Sequence, residues 1–189
     1  KFKSKKNNHR SYTTNNQKGT VAIENGYIKL PKLKSVVKIK QHRLFDGLIK
    51  SCTISQTPGG KYFVSVLVEC DIGQMPRLET KVGIDVGLKT FAVLSNGKKI
   101  ANPKQLGRSE KRLAKLQKDL SRKVRDSKNR AKARLKVARL HEKISNQRLD
   151  FLHKTSFETI RDNQAIVLED LKVKNMVKNH KLAKAISEV

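Results

Sequence analysis

The chain has 189 residues, 37% hydrophobic and 5% aromatic, without Trp, so its core must be modest and mostly aliphatic. That length allows one large domain or two small ones, and no apolar run approaches the ~18 residues that a membrane span needs. With 43 Lys and Arg against 16 Asp and Glu, its formal charge is +27, and a chain so basic repels itself unless a polyanion neutralises it.

Nucleic acid is therefore the expected partner, with phosphate contacts dominating affinity. Residues 1–18 hold six Lys and Arg, no acid, and only Phe2 and Tyr12 as apolar anchors. This basic arm reads either as a segment that orders on a phosphate backbone or as a solvated terminus.

Residues 19–72 read as a strand-rich domain. Val21–Glu24 and Tyr27–Leu30 flank Asn25-Gly26, a strong hairpin pattern because the favoured two-residue turn needs positive φ at both positions. Val36–Arg43 alternates, Gly47–Gln56 does so loosely, and Lys61–Cys70 follows the turn Thr57-Pro58-Gly59-Gly60. About five short strands predict a small antiparallel barrel or sandwich, OB-like in kind. Period two would expose Lys38, Lys40, His42 and Lys50 on one face, with Arg43 beside them, near Tyr62 or Phe63. Such a face suits a nucleic-acid platform, although half-exposed strands of any basic protein also carry cations.

Residues 73–80 are expected to be a linker, since Pro76 blocks pairing and the alternation stops. Residues 81–189 follow as a second domain. Lys81–Ala101 (KVGIDVGLKTFAVLSNGKKIA) predicts three antiparallel strands, the last two joined at Asn96-Gly97. Asp85 ends the first strand between Gly83 and Gly87. It is either a turn residue beside a glycine or a carboxylate placed for chemistry.

A long helical region, about residues 106–162, comes next. Leu113, Leu116, Leu120 and Val124 recur at spacings of three and four, and Ala133, Val137, Leu140, Ile144, Gln147 and Phe151 continue a seam in a second helix. Arg125–Asn129 is the expected turn of this hairpin. Residues 107–148 contain 16 Lys and Arg against 4 Asp and Glu, a net +12. A solvated face ordinarily mixes signs, so backbone binding through Lys115, Lys118, Arg122 and Lys132 is the stronger reading. The run Ala165–Leu168 then predicts a buried parallel strand ending at Glu169, with Asp170 beside it. Residues 172–189 are polar and weakly helical.

Three antiparallel strands, a helical crossover and a fourth strand form the first half of an RNase H-like sheet. A crossover returning the fourth strand parallel to the first brings Asp85 and Glu169 to corresponding strand ends. Two converging carboxylates can share divalent metals, and oxygen donors suit Mg²⁺ or Mn²⁺. In a two-metal site one ion activates water and the other stabilises the leaving oxygen of a phosphodiester. Against this stands the reading of Glu169 or Asp170 as a simple cap of the next segment.

KVGIDVGLKTFAVLSNG resembles the first RuvC motif of TnpB, the transposon-encoded RNA-guided DNA nucleases related to type V CRISPR effectors. IVLEDLKVKNM resembles their second RuvC motif, and KNHKLAKAISEV the stretch that follows it. YIKLPKL, VKIKQHR and KSCTISQTPGGKYFVSVLVE look like their wedge domain. The resemblance implies an α+β protein: a wedge-like barrel followed by a partial RuvC domain with a basic helical hairpin. It implies Asp85 and Glu169 as the first two members of an Asp-Glu-Asp metal-binding triad, a guide RNA and a DNA target. Members of that family also carry a four-cysteine zinc insert, a third catalytic Asp and an amino-terminal recognition domain. None is visible here: Cys52 and Cys70 lie 18 positions apart, without disulfide or zinc spacing. The start at Lys1 without Met and the stop at Val189 within a helical pattern also fit a middle segment.

The leading expectation is thus a fragment of an RNA-guided, metal-dependent DNA endonuclease, itself inactive without the third acid. The alternative is a non-catalytic nucleic-acid-binding module of a transposon-encoded protein. A ribosomal-type RNA binder fits less well, because it has no need of acids at strand ends. The former family label, transposase, implies strand transfer, which no feature here requires. No small-molecule substrate is evident, and the absence of a secretory leader leads to the expectation of a cytoplasmic protein.

Overall fold

In the computed structural model residues 10–71, 73–74 and 76–188 are described. The chain is α+β and divides into two units, Lys1–Gln74 and Met75–Val189.

The first unit holds β1 (Arg10–Asn15), β2 (Ala22–Glu24), β3 (Tyr27–Lys29), β4 (Val37–Lys38), β5 (Leu48–Gln56) and β6 (Tyr62–Glu69). Residues 1–9 of the expected basic arm lie outside the described residues. Its second half is a strand, since Arg10–Asn15 pairs antiparallel with β5 from Arg10↔Gln56 to Asn15↔Ser51. Asn16 secures this junction. Its amide donates to Ile49 O (2.9 Å), its Oδ1 accepts the Val21 N–H (2.9 Å), and its own N–H donates to Lys50 O (2.7 Å).

The expected barrel does not close. Among the described residues there are two open sheets, ordered β1-β5-β6 and β2-β3-β4, which share one core of Val21, Ile28, Leu30 and Cys52. The Asn25-Gly26 hairpin forms with φ of 49° and 76°, as its two-residue loop requires. Val36–Arg43 fails as a long strand. Only Val37 and Lys38 pair with the three-residue β3, and after the Ile39 N–H donates to Gly26 O the chain departs. Closure needs every edge to find a partner, and a two-residue β4 cannot supply one.

The second unit contains β7 (Lys81–Val86), β8 (Thr90–Leu94), β9 (Lys99–Ala101), α1 (Gln105–Ser121), α2 (Lys128–Asp162), β10 (Ala165–Leu168), α3 (Val173–Met176) and α4 (Ala183–Glu188). Its sheet runs β10-β7-β8-β9, with β10 parallel to β7 and the other pairs antiparallel. One face buries Val82, Ala92 and Leu94, with Ile84, Phe91, Ile100 and Ile166 against them. The β8–β9 turn is not the two-residue form. Gly97 alone has positive φ (85°), Gly97 N–H donates to Leu94 O and Leu94 N–H to Lys98 O, which is a three-residue loop with glycine in its left-handed position. β10 is parallel as expected but not buried. It pairs on one side only, and Val167 and Leu168 are 67% and 61% exposed.

The two helices meet along Leu113, Leu140 and Ile144, with Leu106, Leu116 and Val137 flanking them. Val124 lies outside the seam at 77% exposure, because α1 has already ended at Ser121. Two side chains fix the turn. Ser127 Oγ accepts the Arg130 N–H as an N-cap (3.1 Å), and Arg130 Nη1 donates to the Leu120 and Lys123 carbonyls (both 3.1 Å) at and just beyond the end of α1. Further along, Phe151 of α2 meets Phe91 edge-to-face at 4.9 Å. Thr80 Oγ1 donates to Asp162 O (2.8 Å), which anchors the end of α2 beside the start of β7.

Replacing Leu140 by Ala deletes buried methyls at the centre of the helix seam and should destabilise the second unit by about 2–5 kcal/mol. Chemical denaturation of the variant tests this, and a loss below about 1 kcal/mol contradicts the packing described.

Candidate functional site

Side chains alternate across β7, so Val82 and Ile84 enter the core while Gly83 and Asp85 face the other way. The parallel register couples Ile166 to Val82 and Leu168 to Ile84, so the next residue, Glu169, corresponds to Asp85. β8 contributes Val93, opposite Asp85. The result is an open groove on the uncovered face of the sheet, lined by Gly83, Asp85, Val93, Ser95, Val167 and Glu169 with parts of Ile84, Leu94 and Leu168. Asp170 is not among the lining residues.

The groove has an electrostatic peculiarity for a chain of +27. Both of its charged side chains are acids, no Lys or Arg lines it, and both acids are exposed. Among the described residues neither side chain makes a hydrogen bond or an ion pair, whereas Lys50–Glu69, Lys98–Glu158, Lys154–Asp150 and Lys184–Glu110 pair elsewhere. Two uncompensated carboxylates at corresponding strand ends are a fitting donor set for a hard cation such as Mg²⁺ or Mn²⁺. They do not complete a site of three, since among the described residues no three His, Cys, Asp or Glu are grouped to hold a metal ion.

The basic residues separate into two groups. Lys115, Lys118 and Arg122 are exposed on the side of α1 turned away from Leu113 and Leu116. Arg108 and Lys111, which the sequence reading missed, extend this row at the same three-four spacing, giving about 21 Å of cationic helix face at the standard rise. The same spacing rule applied to polar rather than apolar positions would have found them. Lys132 is exposed on α2. In the first unit Lys38, Lys40, His42 and Arg43 are all exposed but share no strand face. Lys38 lies on β4 and the others on irregular chain beyond it. The cysteines contribute nothing to either place, since burial pushes the Cys52 thiol up and Cys70 lies outside the groove. Among the described residues no helix is long and apolar enough to cross a membrane.

The second unit thus combines a basic helical hairpin with a mixed sheet whose groove holds two unpaired acids. The chain belongs to the transposon-associated family OrfB_IS605, described as "Probable transposase", which matches residues 64–180. It is 46% identical over 166 residues to a Streptomyces pristinaespiralis protein named "Putative RNA-guided DNA endonuclease", covering 87% of this chain and 41% of that protein. To InsQ of Escherichia coli strain K12, which bears the same description, it is 38% identical over 157 residues, covering 82% of this chain and 39% of the relative. The chain thus spans about two fifths of the length of these relatives.

Binding of single-stranded RNA or DNA to this chain should weaken steeply with salt. With about six phosphates neutralised, log affinity should fall with log salt at a slope of about −4 to −5, and a slope near zero refutes an electrostatic interface. Replacing Lys115, Lys118, Arg122 and Lys132 together by Ala should flatten that slope by about 2–3 while leaving the circular dichroism spectrum unchanged.

Proposed function

We propose that this chain is the wedge and partial RuvC portion of an RNA-guided, metal-dependent DNA endonuclease, with an RNase H-like arrangement around Asp85 and Glu169. The observation that carries the reading is the meeting of those two acids in a groove without cations, on a chain whose helices are strongly basic. The naming of relatives as RNA-guided DNA endonucleases supports the same class. In this reading Asp85 and Glu169 hold Mg²⁺ or Mn²⁺. When bound, the cations supply activation of a water and stabilisation of the leaving phosphodiester oxygen. The chain's own contributions are separate. β7 and β10 fix the two carboxylates in register, the covered face of the sheet keeps them rigid, and α1 and α2 hold guide RNA and target DNA by their backbones.

The absence of a three-member acidic group among the described residues favours binding without cutting by this chain alone. Two carboxylates leave the charge of a cation pair largely uncompensated at close range. Purified as it stands and given Mg²⁺ and guide RNA, the chain should nick a supercoiled target plasmid no faster than a protein-free control. Efficient cleavage that co-purifies with the chain contradicts this.

In the complete nuclease, Asp85→Asn and Glu169→Gln should each reduce cleavage by at least about 100-fold, because an amide oxygen is a weaker ligand for a hard cation and one charge is lost. Target binding should persist, since it depends on the basic helices. Asp170→Asn is the control, expected to cleave within about threefold of the parent because Asp170 does not line the groove. Normal cleavage by both groove variants removes the metal site from this groove.

A further inference from the structure

We infer that Ser95 is a phosphate-positioning residue of the acidic groove, its hydroxyl donating to a non-bridging oxygen of the nucleic-acid strand held there. The inference rests on the reading of Asp85 and Glu169 as the cutting site, and it concerns a side chain to which that reading gives no role.

The β7–β8 ladder pairs Ile84 with Leu94 and then meets the turn, where the Leu94 carbonyl accepts from Gly97. At the next rung Ser95 supplies both partners of Gly83. Its N–H donates to Gly83 O (2.9 Å), while its Oγ accepts the Gly83 N–H (3.0 Å). The hydroxyl oxygen therefore replaces a backbone carbonyl, and this fixes the side chain in place. A serine hydroxyl has one proton to donate besides its acceptor lone pairs. Among the described residues that proton has no acceptor, and Ser95 is exposed and lines the same groove as Asp85 and Glu169.

Gly83 clarifies the arrangement. It lies on the groove face two positions before Asp85, about 7 Å along the strand. Its φ is not positive, and a Cβ there would meet nothing nearer than Ser95 Cβ at 3.8 Å and Oγ at 4.0 Å. Neither backbone conformation nor crowding requires glycine. Its missing side chain leaves the floor open from the fixed hydroxyl to the carboxylate, between the apolar walls of Val93 and Val167. A phosphodiester entering this space is repelled by both acids. A lysine would offset the repulsion but would also pair with the acids and compete for their oxygens. A neutral donor gives the phosphate a hydrogen bond and leaves the carboxylate charge intact.

The test uses the complete nuclease under single-turnover conditions, with an unmodified target or one carrying a phosphorothioate at the cleaved position. Ser95→Ala should slow cleavage roughly 100- to 1,000-fold, the range for removing one preorganised donor, with target affinity unchanged. Ser95→Thr keeps the hydroxyl and should restore the rate. The phosphorothioate that slows the parent should cost Ser95→Ala little more, since the affected contact is already gone. Parental rates in Ser95→Ala, beside an inactive Asp85→Asn, overturn the inference but leave the groove as the cutting site. A slow Ser95→Ala with the full phosphorothioate penalty also overturns it and assigns Ser95 to the strand ladder alone. Full cleavage by Asp85→Asn overturns the reading of the groove itself.

Discussion

The second unit depends on one pairing, the parallel ladder that joins β10 to β7. Four rungs, from Ala165↔Lys81 to Leu168↔Ile84, connect residues more than eighty positions apart. A parallel pair cannot be made by a tight turn, and the intervening chain must travel out and back. Here that journey is the helical hairpin, returned to the sheet by the Thr80–Asp162 bond and the Phe91–Phe151 contact. A slip of one residue in this ladder would send Glu169 to the core face and leave Asp85 alone in the groove. Ile166, held in the hydrophobic cluster with Val82, opposes such a slip because burying Val167 and Glu169 instead would desolvate a carboxylate.

Charge is divided along α2 as clearly as packing is. Residues 128–147 of α2 hold seven Lys and Arg against one acid, whereas Arg148–Asp162 holds three cations and three acids. The first stretch packs on α1 and keeps most of its cations outward. The second approaches the sheet and pairs locally, as Lys98 with Glu158 and Arg161 with Asp162 show. These exposed pairs add little stability. Not every cation of the hairpin faces solvent, because Arg130 is spent on the carbonyls at the end of α1. The guanidinium fork suits that task, since it can satisfy two acceptors from one side of the turn.

The first unit shows the opposite economy of structure: short strands, two small sheets and a core of four buried residues. Its basic residues are displayed on irregular chain rather than on a strand platform, which spreads Lys38, Lys40, His42 and Arg43 without a common face. What holds the unit is shared burial around Ile28 and Cys52, together with Asn16, whose three hydrogen bonds stitch β1, β2 and β5.

Local chemistry was legible in the sequence wherever the partner is near along the chain. Asn25-Gly26 set a two-residue turn, the three-four spacing of Leu113, Leu116, Leu140 and Ile144 marked the helix seam, and the run Ala165–Leu168 marked a strand. The concentration of positive charge, and the resemblance that brought Asp85 and Glu169 forward together, were likewise available from residues alone. Tertiary structure decided what depends on distant partners. Alternation in Val36–Arg43 names a chain able to be a strand, but pairing needs a neighbour of matching length, and β3 offers three residues. An apolar run predicts burial only if something covers it, and β10 is an edge. The hydroxyl of Ser95 gave no sign in the sequence, because its place in the groove arises from a turn that takes the backbone away just where Gly83 still needs an acceptor.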